Sequence, residues 1–390
     1  MHTQVAIIGA GPAGLLLGRI LQSHGIGTVI LERRSRDYVL ARVRAGMLEQ
    51  GTVDTLREYG VAERLDEMGV AHPTMQFLWN GVRRDVPLED EDGRRLTNYG
   101  QSYVVEDLIK HREADGLPIV FEAEVSSLDG IEDSPSVTYS VDGETKTLTC
   151  DFIAGCDGYL GVSRRSLPGA EAASYLKEFP FAWFGILAEA TPNPHTRGFS
   201  NTPRGLAVSS ARSATRSRLY LQVDPEFDIT SMSDDEIWDE LDRRLSDQDG
   251  NKVTRGPIIE KSVARLRAFV CEKMRHGKLA IAGDAAHIVP PSGAKGLNLA
   301  VGDVRLLGEA IRRHLLDKDD ALLDDYSRLA LERIWPTVHW SCLMSEAFHT
   351  FPGQTEFDTR RQHQTLDFWA HDEIGNRWFR EAMLGLPYAV

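Results

Sequence analysis

Cysteine is scarce in this sequence, four residues in 390. Cys150, Cys156, Cys271 and Cys342 form no CxxC pair, and no histidine cluster stands at metal-ligand spacing. That excludes a disulfide scaffold, a zinc module and a dithiol redox centre, so reduced thiols and no metal are expected. Long apolar runs are also missing: none approaches the roughly 18 residues that cross a bilayer. The opening MHTQVAIIGA passes straight into a strand-like run, without the charged region and apolar core of a signal peptide. Cytoplasm, and no membrane partner, is the expectation. Positive charge is the third deficit. The 44 Lys and Arg against 58 Asp and Glu leave a net charge of −14, which argues against a nucleic-acid partner. Repeats and low-complexity tracts are absent as well. What remains, 42% hydrophobic and 26% charged, is the balance of a globular enzyme. The length suits two or three domains, or one large α/β body with an inserted layer.

The N-terminal stretch QVAIIGAGPAGLLLGRILQSHGIGTVILERR carries the first motif. VAII reads as a buried parallel strand, and AGLLLGRILQSHG has helical spacing and a stop at Gly25. TVILE reads as a second buried strand closing on Glu32. Gly9, Gly11 and Gly14 fall between strand and helix in GxGxxG register, answered by Glu32 about 20 residues on, the dinucleotide-binding pattern. Gly9 allows the tight turn, Gly11 the approach of a pyrophosphate, and Gly14 the close packing of helix on sheet. The helix N-terminus offers bare N–H groups to phosphate, and Glu32 accepts from ribose hydroxyls. The pattern alone leaves NAD and FAD open. Five arginines follow Glu32 in RRSRDYVLARVRAG. Arg42 and Arg44 are read as reaching the pyrophosphate or flavin region. Arg33, Arg34, Arg36 and Tyr38 are read as meeting a second, 2′-phosphorylated nucleotide, since arginine forks suit phosphate.

Two more strand-to-turn units follow. DFIAGCDGYLGVSRRSL delivers Asp157, and GKLAIAGDAAHIVPPSGAKGLNLA delivers Asp284 before a helix that starts near Gly296. Each places a carboxylate at a sheet edge, where a ribitol or ribose hydroxyl can be held. The helix N-terminus after the double proline offers partial positive charge to a flavin ring. SSARSATRSRLYLQV alternates polar and apolar residues around β-branched and aromatic ones, as strand with turns does.

GxGxxG with Glu32, the GCDG turn and the GDAAH box together resemble the triple fingerprint of class A flavoprotein aromatic hydroxylases. RVRAGMLEQGTVDTLREYGV, IAGCDGYLGVSR, SARSATRSRLYLQV, AGDAAHIVPPSGAKGLNLA and the closing GLPY narrow the resemblance to the 4-hydroxybenzoate 3-monooxygenase family, nearly end to end. The resemblance implies FAD contacts at Ala13, Glu32, Arg42, Arg44, Gln101, Asp157, Asp284, Gly296 and Leu297. It implies a substrate carboxylate held by Arg212 with Ser210 and Tyr220, and a Pro291 carbonyl facing the substrate 4-position. His72 matches a residue that passes a proton to solvent. For Arg218 a flavin contact and a structural role stay open. The implied reaction is hydroxylation of a 4-substituted benzoate at C3, using NADPH (or NADH) and O₂ through a flavin C4a-hydroperoxide.

The departures are specific. Phe199 and Met383 stand where relatives acting on 4-hydroxybenzoate carry two tyrosines that relay the phenolic proton outward. Leu160 replaces a frequent histidine that helps hold the pyridine nucleotide. A 4-amino group activates the ring without deprotonation, so 4-aminobenzoate stands beside 4-hydroxybenzoate as a substrate candidate. The reading from another class is a flavoprotein oxidase or a ligand-gated flavin sensor.

The expected architecture is α/β with α+β elements. Residues 1–173 form a Rossmann-like βαβ FAD-binding domain, discontinuous and completed by the strand and loop near 277–300. Residues 174–288 form a mainly β substrate domain with a helix around DDEIWDELDRRL. Residues 289–390 are helical, the region through which relatives dimerise, so a homodimer is expected.

Overall fold

A computed structural model describes residues 1–41 and 46–388. Arg42 and Arg44 lie outside the described residues. The first sheet is built on parallel neighbours. His2–Ile8 pairs in parallel with Thr28–Leu31 on one side and with Glu144–Gly155 on the other, and Leu279–Ile281 extends the parallel set next to Ile153–Gly155. Val5, Ala6, Ile7 and Ile30 are fully buried, which is what a sheet covered on both faces requires. Helix Pro12–Ser23 makes the crossover, starting with proline in its first turn and stopping where Gly25 takes φ +74°. The long helix Gly296–Arg312 lies on it so closely that a methyl group at Gly308 would stand 2.6 Å from Ile20.

The second sheet runs 287–288, 258–271, 174–188, 217–223, 207–211, 198–201, 74–79, 82–87. Its pairings are antiparallel except the one between Gly198–Asn201 and Thr74–Trp79. One face packs Phe184, Ile186, Leu219 and Leu221 under Ile237, Trp238 and Leu241 of helix Asp234–Leu245. Ser233 and Glu236 form a capping box at the start of that helix, and Arg243 and Arg244 sit in its last turn.

One segment crosses the expected boundary. The hairpin 74–87 lies within the span read as the FAD-binding domain, yet Phe77, Leu78 and Trp79 pair with Phe199, Ser200 and Asn201 of the second sheet. Leu279–Ile281, in the strand and loop read as completing the FAD-binding domain, belongs to the first sheet. A hairpin's alternating pattern records which face is buried, not which sheet it will join. Beyond Gly296 the chain is helical through Gly296–Arg312, Ala321–Phe348, Glu356–His371 and Glu373–Leu384. No helix among the described residues is long and apolar enough to cross a membrane.

Candidate functional site

The glycine turn is shaped by sterics. Gly9 takes φ +103°, and a methyl group there would stand 2.4 Å from the Cys156 carbonyl oxygen. A methyl at Gly14 would stand 2.0 Å from the Gly9 carbonyl oxygen, whereas Gly11, at the N-cap of helix Pro12–Ser23, faces open space. The helix N-terminus is therefore accessible just where an anion would be held. Ala13 is buried beneath it. Glu32 accepts from the Ala10 N–H and the Arg34 N–H, both at 2.8 Å. Beside it opens a cavity of about 120 Å³ lined by Gly9, Glu32, Arg33, Ala123, Asp157 and Arg165.

Asp157 supplies the test of fit for a cofactor. Its Oδ2 accepts from the Ser163 N–H at 2.9 Å and hydroxyl at 3.0 Å, while Oδ1 is buried with no hydrogen-bond partner. Burial pushes this carboxyl above the usual aspartate range, against the Ser163 hydrogen bonds. An unsatisfied acceptor lining a cavity is completed by a hydroxyl donor, and FAD carries several. Together with the open glycine turn, the residues present fit FAD. On the rim, Arg34 lies over the Tyr38 ring at 5.0 Å. Neither Arg33 nor Arg34 pairs with a carboxylate among the described residues, whereas Arg36 is engaged by Glu113 at 2.9 Å. Leu160 is exposed at the mouth of the same cavity.

The other cofactor candidates start two helices and a turn. Gln101 opens helix Gln101–Ala114. Gly296 and Leu297 open helix Gly296–Arg312, and Asp284 sits in the turn Gly283–Ala285. Between them the double proline stiffens the chain. Pro290 is buried and Pro291 exposed, and the Pro291 carbonyl accepts from the Ala294 N–H at 3.0 Å, with Ala294 at φ +55°. Lys295 is buried and donates to Glu49 Oε1 at 2.8 Å and to the Met383 carbonyl at 2.7 Å. Arg333 donates to Glu49 Oε2 at 2.9 Å and to the Leu386 carbonyl at 3.0 Å. Two cations on one carboxylate leave net positive charge at the start of the long helix, and tie the closing GLPY segment to it.

The substrate side stands on two adjacent strands. Ser210 pairs with Arg218 and Val208 with Tyr220, so Ser210, Arg218 and Tyr220 share one face, and Leu219 and Leu221 point to the helix-covered face. Arg212 follows at the strand end. Its Nη2 donates to Ser102 Oγ at 3.0 Å, and a methyl group at Gly100 would stand 2.3 Å from its Nη1. The guanidinium pairs with no carboxylate among the described residues; burial and then the Tyr103 and Arg218 surroundings leave its pKa below the usual arginine range. A desolvated guanidinium without a counter-ion is a site for an anionic ligand. Arg218 is different: it pairs with Glu260 at 3.1 Å and donates to the Tyr220 hydroxyl at 3.3 Å and to Ser262. In this structure Arg218 is engaged by side chains of its own sheet. Ser210 Oγ donates to the Arg218 carbonyl at 3.0 Å, and the Tyr220 ring lies 4.7 Å from Trp183.

Phe199 lies 5.2 Å from Phe348, which touches Phe77 at 4.9 Å; Phe77 in turn touches Phe379 at 5.2 Å, one helical turn before the buried Met383. The two departures are therefore joined by a continuous aromatic cluster. His72 is partly buried on a small separate sheet, and burial together with the nearby Arg197 charge pushes it below the usual histidine range. Among the described residues no group of three or more His, Cys, Asp or Glu side chains is placed to hold a metal.

Sequence reasoning missed Gly100, Ser102, Arg165 and the Glu49–Lys295–Arg333 cluster. Ser102 neighbours Gln101, but nothing local announces a partner 110 positions away.

The family model described as FAD binding domain matches residues 2–341. The p-hydroxybenzoate hydroxylase of Acinetobacter baylyi is 43% identical, over all of this chain and 97% of its own length. A probable NADH-specific resorcinol 4-hydroxylase of Rhodococcus jostii is 23% identical over 83% of this chain and 61% of its own. The solved p-nitrophenol 4-monooxygenase PnpA of Pseudomonas putida superposes with a TM-score of 0.78, covering 99% of each chain at 20% identity, a likeness of fold.

Proposed function

The chain belongs to the FAD binding domain family and, within it, to the class A flavoprotein aromatic hydroxylases, and from that premise we infer that it hydroxylates a 4-substituted benzoate at C3, with NADPH as reductant. The observation that carries the reading is Arg212: a half-buried guanidinium without a carboxylate partner among the described residues, next to the helix that Gln101 opens. Bound here, FAD would supply the redox chemistry, accepting electrons from the nicotinamide and activating dioxygen. The protein's part is to hold and orient. Arg212 takes the substrate carboxylate, with Ser210 and Tyr220 beside it. Gly11, Glu32, Asp157 and Asp284 hold the cofactor, and Gly296 and Leu297 bring a helix N-terminus to it. Arg33, Arg34 and Tyr38 are assigned to the nicotinamide nucleotide, the arginines favouring a 2′-phosphate; NADH is the alternative that the Rhodococcus relative's name supports for itself.

The 4-substituent is assigned by what surrounds it. Phe199 and Met383 offer no hydroxyl to take a phenolic proton. A 4-amino group donates its lone pair to the ring without losing a proton, so 4-aminobenzoate suits this wall. 4-Hydroxybenzoate is the second reading, favoured by the 43% identity to an enzyme named for it. Stoichiometric conversion of NADPH and benzoate into hydroxylated product tests the function; hydrogen peroxide alone would assign an oxidase instead. A homodimer is proposed on the exposed Phe357, Phe368, Ile374 and Trp378 of the last two helices. Light scattering at micromolar concentration tests it, and a monomer mass would refute it.

A further inference from the structure

The turn Gly283–Ala285 is where the two sheets meet. On its N-terminal side Ile281 pairs with Gly155 of the first sheet, and the Ala282 N–H donates to the Gly155 carbonyl at 3.0 Å. On its C-terminal side the Ala286 carbonyl accepts from the Cys271 N–H at 2.8 Å, and His287 pairs with Val270 of the second sheet. One carboxylate oxygen joins both sides. Asp303 Oδ2, on the helix that starts at Gly296, accepts from the Gly283 N–H at 2.8 Å and meets His287 Nε2 at 2.6 Å. Both side chains are almost completely buried, at 2% and 1% exposure.

The burial gives this contact its weight. Gly283 takes φ +63°, and a methyl group there would stand 3.2 Å from Ala13 and 3.4 Å from Ala300, so its backbone is held against both cofactor helices. Its N–H points inward. Without Asp303 that donor and the His287 ring would be buried unpaired, which folded interiors avoid. Asp284 is the next residue, so its direction is set by the backbone angles that Asp303 fixes.

We propose that the Asp303–His287 pair is a positioning element for the cofactor turn: Asp303 clamps Gly283 to the helix Gly296–Arg312 while His287 anchors the same turn to the second sheet. Asp284 and the Gly296–Leu297 helix start are thereby held at a fixed spacing before any ligand arrives. The proposal rests on the FAD reading of the site.

The test is FAD affinity of the apoprotein, followed by quenching of flavin fluorescence, beside its melting temperature. Asp303→Leu is expected to raise the Kd for FAD at least about tenfold. Tyr326→Phe is the control. It removes an equally buried hydrogen bond, to the Ile281 carbonyl at 2.9 Å, but leaves Gly283 held; it is expected to lower the melting temperature and leave the Kd within twofold. Should Asp303→Leu not fold, His287→Leu carries the test, with an expected rise of about threefold or more. A Kd within twofold of the parent in the variant that folds overturns the proposal, as does a Tyr326→Phe loss of affinity as large as that of Asp303→Leu. The parent is titrated first. A parent that fails to bind FAD contradicts the FAD reading, whereas a parent that binds and an Asp303→Leu that binds equally well contradict only the positioning role.

Discussion

Arg212 donates to Ser102 Oγ at 3.0 Å across the boundary between the second sheet and a helix packed on the first. The contact holds a half-buried guanidinium, with no carboxylate partner among the described residues, beside the start of the helix Gln101–Ala114. Arg212→Lys keeps the charge and loses the fork, so KM for the aromatic acid is expected to rise about 30- to 100-fold. Ser102→Ala, which removes only the aiming hydroxyl, is expected to raise it about threefold. Steady-state kinetics with 4-aminobenzoate check both; an unchanged KM in Arg212→Lys would remove Arg212 from the substrate site.

Phe199 and Met383 sit at two ends of the Phe348–Phe77–Phe379 cluster. The double substitution Phe199→Tyr, Met383→Tyr adds hydroxyls where a phenolic proton would leave. The ratio of kcat/KM for 4-hydroxybenzoate to that for 4-aminobenzoate is expected to rise at least about tenfold, since proton-transfer groups contribute factors of this order or more. An unchanged ratio would mean that these positions do not decide the 4-substituent.

Arg33 and Arg34 have no carboxylate partner among the described residues, and Arg34 lies over Tyr38 at 5.0 Å. The double substitution Arg33→Gln, Arg34→Gln is expected to raise KM for NADPH about tenfold or more while moving KM for NADH less than threefold, because only the former carries the 2′-phosphate. Equal effects on both nucleotides would refute the assignment.

Glu240 anchors the second sheet's helix. It accepts from Arg204, Arg243 and Arg244, each at 2.8 to 3.1 Å. Burial raises its pKa, but the arginine hydrogen bonds outweigh burial and bring it down to about 2 from 4.5. A folded-state pKa below the unfolded one means that the stabilisation is fully present above about pH 4.5 and is lost as pH falls toward 2. Thermal melts of the parent and Glu240→Gln are expected to differ by several degrees at pH 7 and to converge below pH 3. A difference that stays constant down to pH 3 would contradict the linkage.

The parts of this fold that show in the sequence are those whose cause is local. Gly9 and Gly14 of the GxGxxG turn need glycine because neighbouring backbone stands within 2.4 Å of where a side chain would be, and the helix 234–245 announces itself through its acidic first turn and basic last turn. The parts that stayed hidden are pairings across long stretches of chain. Hairpin 74–87 joins residues 198–201 through strands whose alternation is equally consistent with either sheet. Arg218 sits in a motif shared with Arg212, and only the fold brings Glu260 to it. Asp303 looks like any acidic residue on an amphipathic helix until the fold places Gly283 and His287 against it.

The most direct test of the substrate assignment is product analysis by liquid chromatography and mass spectrometry. The FAD-loaded enzyme is given NADPH, oxygen and either 4-aminobenzoate or 4-hydroxybenzoate, with peroxide assayed in parallel. The expected result is ring-hydroxylated 4-aminobenzoate formed in step with NADPH consumption, and mostly peroxide from the phenol. Coupled formation of 3,4-dihydroxybenzoate with no hydroxylation of 4-aminobenzoate would contradict it.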